Sequence, residues 1–271
     1  MNEELARIAA ALERLVPSAG VGADWTAAPA YVWDGRPRAV ASIVAPRLVL
    51  LRGIDAQKEA VTANVARLAA GHAAHDMLLW GSRGMGKSAL LRASLVAAQA
   101  GDPSAIALVQ VAPEALASLA ALFAELGKVQ RRFLVFIDDL GFEEGDSSGP
   151  RALRSWLEGG VEARPANVRI AVTSNRRAIV PRHLSEQDDP INPRDAVDDR
   201  LALADRFGLS IGFHNCTQDD YLAIVEGYCA EHGLAFEEAE ALEWAKRRGS
   251  RSGRVAWQFV TELAGRAGKA L

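Results

Sequence analysis

Cysteine is scarce in this 271-residue chain, occurring only as Cys216 and Cys229. The two lack metal-ligand spacing and read as buried free thiols in a reducing compartment. Neither sign of charge dominates. Lysine and arginine number 31 against 34 acidic residues, a net charge of −3. That balance argues against a strongly basic nucleic-acid protein, although local patches stay open. No apolar run approaches the roughly 20 residues that span a bilayer. The opening M-N-E-E-L-A-R-I-A-A has neither the basic start nor the long apolar stretch of a signal peptide. These absences predict a cytoplasmic protein. There is no internal repeat and no low-complexity tract. His72 and His75 sit three apart, but no third ligand is near, so two unrelated histidines is the simpler reading than a metal pair.

What is present is ordinary globular material, 49% apolar and 24% charged, in a length that suits one large or two modest domains. One stretch stands out. Residues 77–88 read M-L-L-W-G-S-R-G-M-G-K-S, an apolar run, a Gly-rich turn and the start of a helical segment. Gly81, Gly86, Lys87 and Ser88 fit the phosphate-binding pattern G-x-x-x-x-G-K-[ST]. Glycines at 81, 84 and 86 let successive N–H groups face one anion. The helix beginning near Gly86 adds its positive end. Lys87 supplies a point charge for β- and γ-phosphates, and Ser88 an oxygen ligand for Mg²⁺. The nucleotide-contacting set is therefore Gly81, Ser82, Arg83, Gly84, Met85, Gly86, Lys87, Ser88 and Ala89. A Gly turn beside a solvated lysine is the plainer alternative.

Along the chain, 2–15 has helical period, and 16–46 reads as an irregular arm holding Trp25 and Trp33, docked on its own domain or on a neighbouring subunit. Asp55 caps a helix running to about residue 70. Strands are expected at 77–80, 106–111, 133–138, 168–173 and 209–213. Helices are expected at 89–98, 113–130 and 151–158, with an acidic loop at 141–150 and a polar surface loop at 181–200. Three helical patterns close the chain, at 218–232, 236–248 and 253–268. Strands alternating with helices predict a three-layer αβα core on a five-stranded, mostly parallel sheet, and the last third a small helical lid. The expected divisions are 1–45 (helix and arm), 46–214 (core) and 215–271 (lid).

A phosphate loop with Mg²⁺ needs a carboxylate partner. F-L-V-F-I-D at 133–138 is an apolar strand that delivers Asp138 and Asp139, the Walker B pattern. One acid would hold Mg²⁺ through a water and the other would orient the attacking water. Two acids opening a solvated loop is the alternative.

With these motifs together the chain resembles an AAA+ ATPase over about residues 48–271. G-I-D-A-Q-K at 53–58 resembles the segment that contacts adenine, which brings in Ile54. T-S-N at 173–175 ends a strand like the sensor 1 position. A-D-R-F-G at 204–208 resembles the arginine-finger motif, and S-G-R-V-A at 252–256 the sensor 2 helix. More narrowly, L-L-W-G-S-R-G-M-G-K-S, D-D-L-G-F-E-E-G-D, L-E-G-G-V-E-A-R-P-A-N-V, T-S-N-R-R and G-S-R-S-G-R-V-A resemble the bacterial ATP-binding family known as domain of unknown function 815. The resemblance implies ATP and Mg²⁺ as cofactors, with Ser88 and Asp138 at the metal. It also implies Asn175 polarising water, and Arg254 (or Arg251) reaching ATP from the lid. Arg206 (or Arg200) would act in trans in a homo-oligomer. The basic cluster Lys246, Arg247, Arg248, Arg251 and Arg254 is otherwise a solvated face or a nucleic-acid contact.

Two departures matter. The strand ends in Asp-Asp where AAA+ motors usually carry Asp-Glu, which points to slower turnover, with Glu143 or Glu144 as possible helpers. No aromatic pore loop is evident near Phe142 or Trp156, which lowers the case for an unfoldase. The expected activity is ATP hydrolysis coupled to lid and subunit-interface rearrangement on a protein or nucleic-acid client. A nucleotide-gated assembly module with little turnover is the alternative. A P-loop kinase fits less well, because the sensor residues and helical lid argue against it.

Overall fold

The structure is a computed structural model that describes residues 24–141, 156–157, 164–175 and 205–271. The expected helices at 2–15 and 151–158, the acidic loop but for Gly141, the polar loop, Glu143, Glu144 and Arg200 lie outside the described residues, apart from Trp156 and Leu157 of the second helix.

Seven strands form one sheet: β1 (Ala30–Trp33), β2 (Pro37–Val40), β3 (Met77–Gly81), β4 (Ile106–Val111), β5 (Arg132–Ile137), β6 (Val168–Ser174) and β7 (Leu209–Phe213). Their spatial order is β2-β1-β4-β5-β6-β3-β7. Every neighbouring pair is parallel except β1 with β2. The five expected strands are all present. The five-stranded expectation is corrected to seven, because part of the supposed irregular arm is a hairpin that lengthens the sheet beside β4. A-Y-V-W is only four residues long, without polar alternation, so its strand character comes from pairing rather than from local pattern.

That hairpin is held by buried polar contacts. Arg131, 5% exposed, donates to the carbonyls of Trp25, Ala28, Pro103 and Ile106 at 2.7–3.1 Å. Trp25 Nε1 donates to Glu125 at 3.0 Å and Trp33 Nε1 to Ser118 at 2.8 Å.

β5 shows why the sheet is a middle layer. Phe133, Val135 and Ile137 enter one apolar cluster, while Leu134 and Phe136 enter the other. All five are essentially fully buried, each worth about 1.5–3 kcal/mol relative to exposure. On the Leu134 side lie α1 (Asp55–Ala69), through Val61, Val65 and Leu68, and α2 (Lys87–Gln99), through Leu90, Leu91 and Leu95. On the other side lies α3 (Leu119–Leu126), with Trp25, Tyr31 and Trp33. The single helix expected at 113–130 is a 3-10 turn, Pro113–Ser118, followed by α3. Asp55 does not cap α1. Ile54 holds that position, and Asp55 pairs with Lys58 at 2.6 Å within the first turn.

The last third is helical: α4 (Gln218–His232), α5 (Glu238–Arg247) and α6 (Gly253–Arg266). Thr217 and Asp220 form a capping box on α4, and Ser252 caps α6 by accepting from Val255 N at 3.3 Å. Tyr221, Ile224, Phe259 and Val260 join the same cluster as α1 and α2, so the C-terminal helices share the sheet domain's apolar interior. Both cysteines are buried and free. Burial, aided by Asp220, pushes the Cys216 thiol up to about 11. Among the described residues no helix is long and apolar enough to cross a membrane.

Candidate nucleotide site

The phosphate loop connects β3 to α2 at one end of the parallel strands. Two of its glycines are required by what surrounds them. Gly81 has φ +125°, and a Cβ there would lie 2.0 Å from the Phe213 carbonyl oxygen on β7. Gly84 has φ +77°, and its Cβ would lie 2.9 Å from Ser252 Oγ. The second contact shows how the loop meets the start of α6: Arg254 N–H donates to Gly84 O at 3.3 Å.

Lys87 begins α2 and is 7% exposed. Its ammonium donates to Gly81 O at 2.6 Å, Ser82 O at 2.9 Å and Asn175 Oδ1 at 3.3 Å. Burial holds its pKa below the ordinary 10.5. Asp139 and Asp138 pull it back up, while Arg254 and Arg83 push it further down.

One helical position on, Ser88 Oγ donates to Asp138 Oδ1 at 2.6 Å. The same carboxylate oxygen accepts from Thr173 Oγ1 at 2.6 Å. Asp139 has φ +51°, the one described non-glycine residue in the left-handed region, and its N–H donates to Thr173 Oγ1 at 2.8 Å. Asn175 Nδ2 donates to Asp139 Oδ1, and Asn175 Oδ1 accepts from Lys87. The loop, the end of β5 and the end of β6 are thus tied into one ring: Lys87, Asn175, Asp139, Thr173, Asp138 and Ser88.

This ring floors one end of a cleft of about 890 Å³. Arg83, Gly84, Met85, Gly86, Lys87, Ser88, Ala89, Asp138, Asp139, Asn175, Ile54 and Arg254 all line it. Gly81 and Ser82 do not. They meet Lys87 through their carbonyls, and Ser82 Oγ donates to Asn215 at 2.6 Å. Arg206, on the turn before β7, is outside the cleft of its own chain. Of Arg254 and Arg251, the first reaches the cleft, whereas Arg251 lines a smaller hollow with Cys216 and Lys246. Others of the basic cluster are engaged nearby, with Arg247 pairing to Glu243 and Arg248 lying 4.7 Å over the Trp244 ring.

Away from the loop the cleft carries an apolar patch beside Arg47, Arg52, Glu231 and His232, and no motif in the sequence marks it. Ala45, Pro46, Leu50 and Leu51 come from the segment before α1, and Ile224, Tyr228 and Trp257 from α4 and α6. Tyr228 and Trp257 meet edge-on, with centroids 5.0 Å apart. No motif spacing links these residues; helical period marks Trp257 only as one turn beyond Arg254.

The oxygen donors fit a hard cation. A hydroxyl and a carboxylate in contact suit Mg²⁺, which keeps most of its shell as water or phosphate oxygen and uses one or two carboxylates. Among the described residues no group of three or more His, Cys, Asp and Glu side chains could hold a metal by itself.

Several solved structures share this fold. The Thermotoga maritima RuvB Holliday junction branch migration motor matches with a TM-score of 0.55 at 16% identity, covering 84% of this chain and 68% of that one. The Aeropyrum pernix Orc1 protein in complex with DNA matches with a TM-score of 0.53 at 16% identity, over 84% and 66%. Domain III of the Thermotoga maritima replication initiation protein DnaA matches with a TM-score of 0.51 at 14% identity, over 85% and 89%. At such identities the likeness is one of fold. No curated protein matches the sequence. The chain's mostly parallel α/β fold is of AAA+ type, and residues 26–267 match the family described as Protein of unknown function (DUF815), so the chain belongs to that family.

Proposed function

We propose that this protein binds Mg-ATP in the cleft and hydrolyses it. The carrying observation is the ring that joins Lys87 and Ser88 of the phosphate loop to Asp138, Asp139 and Asn175 at the ends of β5 and β6. Lys87 binds the β- and γ-phosphates, its ammonium exchanging loop carbonyls for phosphate oxygens. Ser88 and Asp138 hold Mg²⁺, whose charge offsets that of the triphosphate. Asp139 takes hold of the attacking water, oriented by Asn175. The water oxygen bonds to the γ-phosphorus as the bond to the bridging oxygen breaks, and ADP and phosphate leave.

Arg254 reports the γ-phosphate to the lid, and Arg206 completes the site of a neighbouring copy. An arginine in that role is worth about 10³–10⁵ in rate. α4–α6, roughly residues 215–271, act as the lid over the core, and hydrolysis changes the lid angle and the contact between copies. The client on which this acts is a protein or a nucleic acid. Wild-type protein should release phosphate from Mg-ATP with a rate per chain that rises with protein concentration. R206A should lose that rise, and K87A should lose release altogether. Equal rates in wild type and K87A would end the proposal.

A second reading, a nucleotide-gated module with negligible turnover, is favoured by the short Asp139 carboxylate and its engagement with Asn175. Single-turnover phosphate release on the assembled protein separates the two.

A further inference from the structure

Thr173 ends the β6 face of the ring and is 1% exposed. A valine would fill its volume and suit a strand at least as well. A buried hydroxyl is costly unless both its functions are used. Here both are used, and both on residues of the proposed site. The single O–H donates to Asp138 Oδ1 at 2.6 Å, and the oxygen accepts from Asp139 N–H at 2.8 Å. The Thr173 carbonyl then accepts from Leu140 N–H at 2.8 Å, which anchors the chain just past both carboxylates.

Each bond has a specific consequence. With Ser88 and Thr173 both donating to Oδ1, the rotation of the Asp138 carboxylate is fixed and the work of any cation falls to what remains of that group. Asp139 stands at φ +51°, in the left-handed region that few non-glycine residues adopt. The Thr173 oxygen holds its amide there, and that backbone pose brings its side chain to Asn175.

The geometry assigns Thr173 as the positioning residue for both carboxylates, fixing Asp138 for Mg²⁺ and Asp139 for water. This rests on the Mg-ATP reading above. It predicts a split that a merely structural threonine would not give. Lys87 and the loop amides, which grip phosphate without metal, do not touch Thr173, so metal-free binding should survive its loss.

The test is equilibrium binding of ATP to the full chain, with Mg²⁺ and with EDTA, for wild type, T173V, T173A and T173S. In wild type Mg²⁺ should tighten binding. In T173V and T173A the gain from Mg²⁺ should fall about 10-fold, within the range for groups that orient a metal ligand. Binding in EDTA should stay within about twofold, since loop contacts are intact. T173S, which keeps the hydroxyl, should retain the Mg²⁺ gain. The assignment is overturned if T173V and T173A keep the full gain, or if they lose EDTA binding as severely, the mark of local collapse or failure to fold. It is equally overturned if T173S behaves as T173V does. If wild type itself shows no Mg²⁺ gain, the Mg-ATP reading fails and takes this assignment with it.

Discussion

The two ends of the cleft are built by different rules. The phosphate-loop end is polar, partly buried and directional, six residues linked by five hydrogen bonds and by the chain between Lys87 and Ser88. The other end is largely apolar, gathered from the segment before α1 and from α4 and α6, with the Arg47–Glu231 ion pair at its edge. Directional chemistry tolerates few residue types at each place, so it leaves a motif. Apolar burial tolerates many, so it leaves almost none.

The contrast predicts unequal and separable losses. K87A should weaken ATP and inorganic tripolyphosphate alike, by about 100-fold or more, because it removes a desolvated charge from the anion's path. D139N should lower turnover by about 100-fold while ATP affinity stays within a factor of about three, the pattern of a group used in the chemical step. W257A should weaken ATP about 10-fold, in line with loss of a stacking face, and leave tripolyphosphate untouched. A W257A that weakened both ligands equally would erase the division between the ends.

Acidity sharpens the same comparison. Burial lowers the Lys87 pKa below 10.5, with Asp139 the largest opposing influence. Binding that needs the ammonium should therefore fall with rising pH before an ordinary lysine titrates. D139N, lacking that opposing charge, should bring the fall to lower pH; an unmoved limb in D139N would show that Lys87 is not the group. The lid carries the smallest effect. Cys216 moves from 9.0 to about 11 on folding. Its folded pKa is raised, so its contribution to stability is whole below pH 9 and is lost as pH climbs through 11. C216A should melt with a shallower loss between those limits than wild type.

How much of this was legible follows the same line. The loop, Asp138 and Asp139 were readable from their pattern and their place at strand ends, and Asn175 and Arg254 from family resemblance; all of these but Gly81 and Ser82 line the cleft. Thr173 sat inside a recognised motif, but its task depends on how β6 lies against β5, which no spacing records. Tyr228 and Trp257 fall within the helical patterns at 218–232 and 253–268, where no motif singles them out. The β1–β2 hairpin was missed because four residues carry little period, and its strand character is supplied by β4 and by the cage of carbonyls around Arg131.

The most direct test is calorimetric titration of ATP into the full chain, with and without Mg²⁺, beside K87A. One nucleotide bound per chain, tighter with Mg²⁺ and lost in K87A, is the expected result. Absence of binding to wild type at millimolar ATP, or equal binding by K87A, would contradict a triphosphate site built on Lys87 and the Ser88–Asp138 pair.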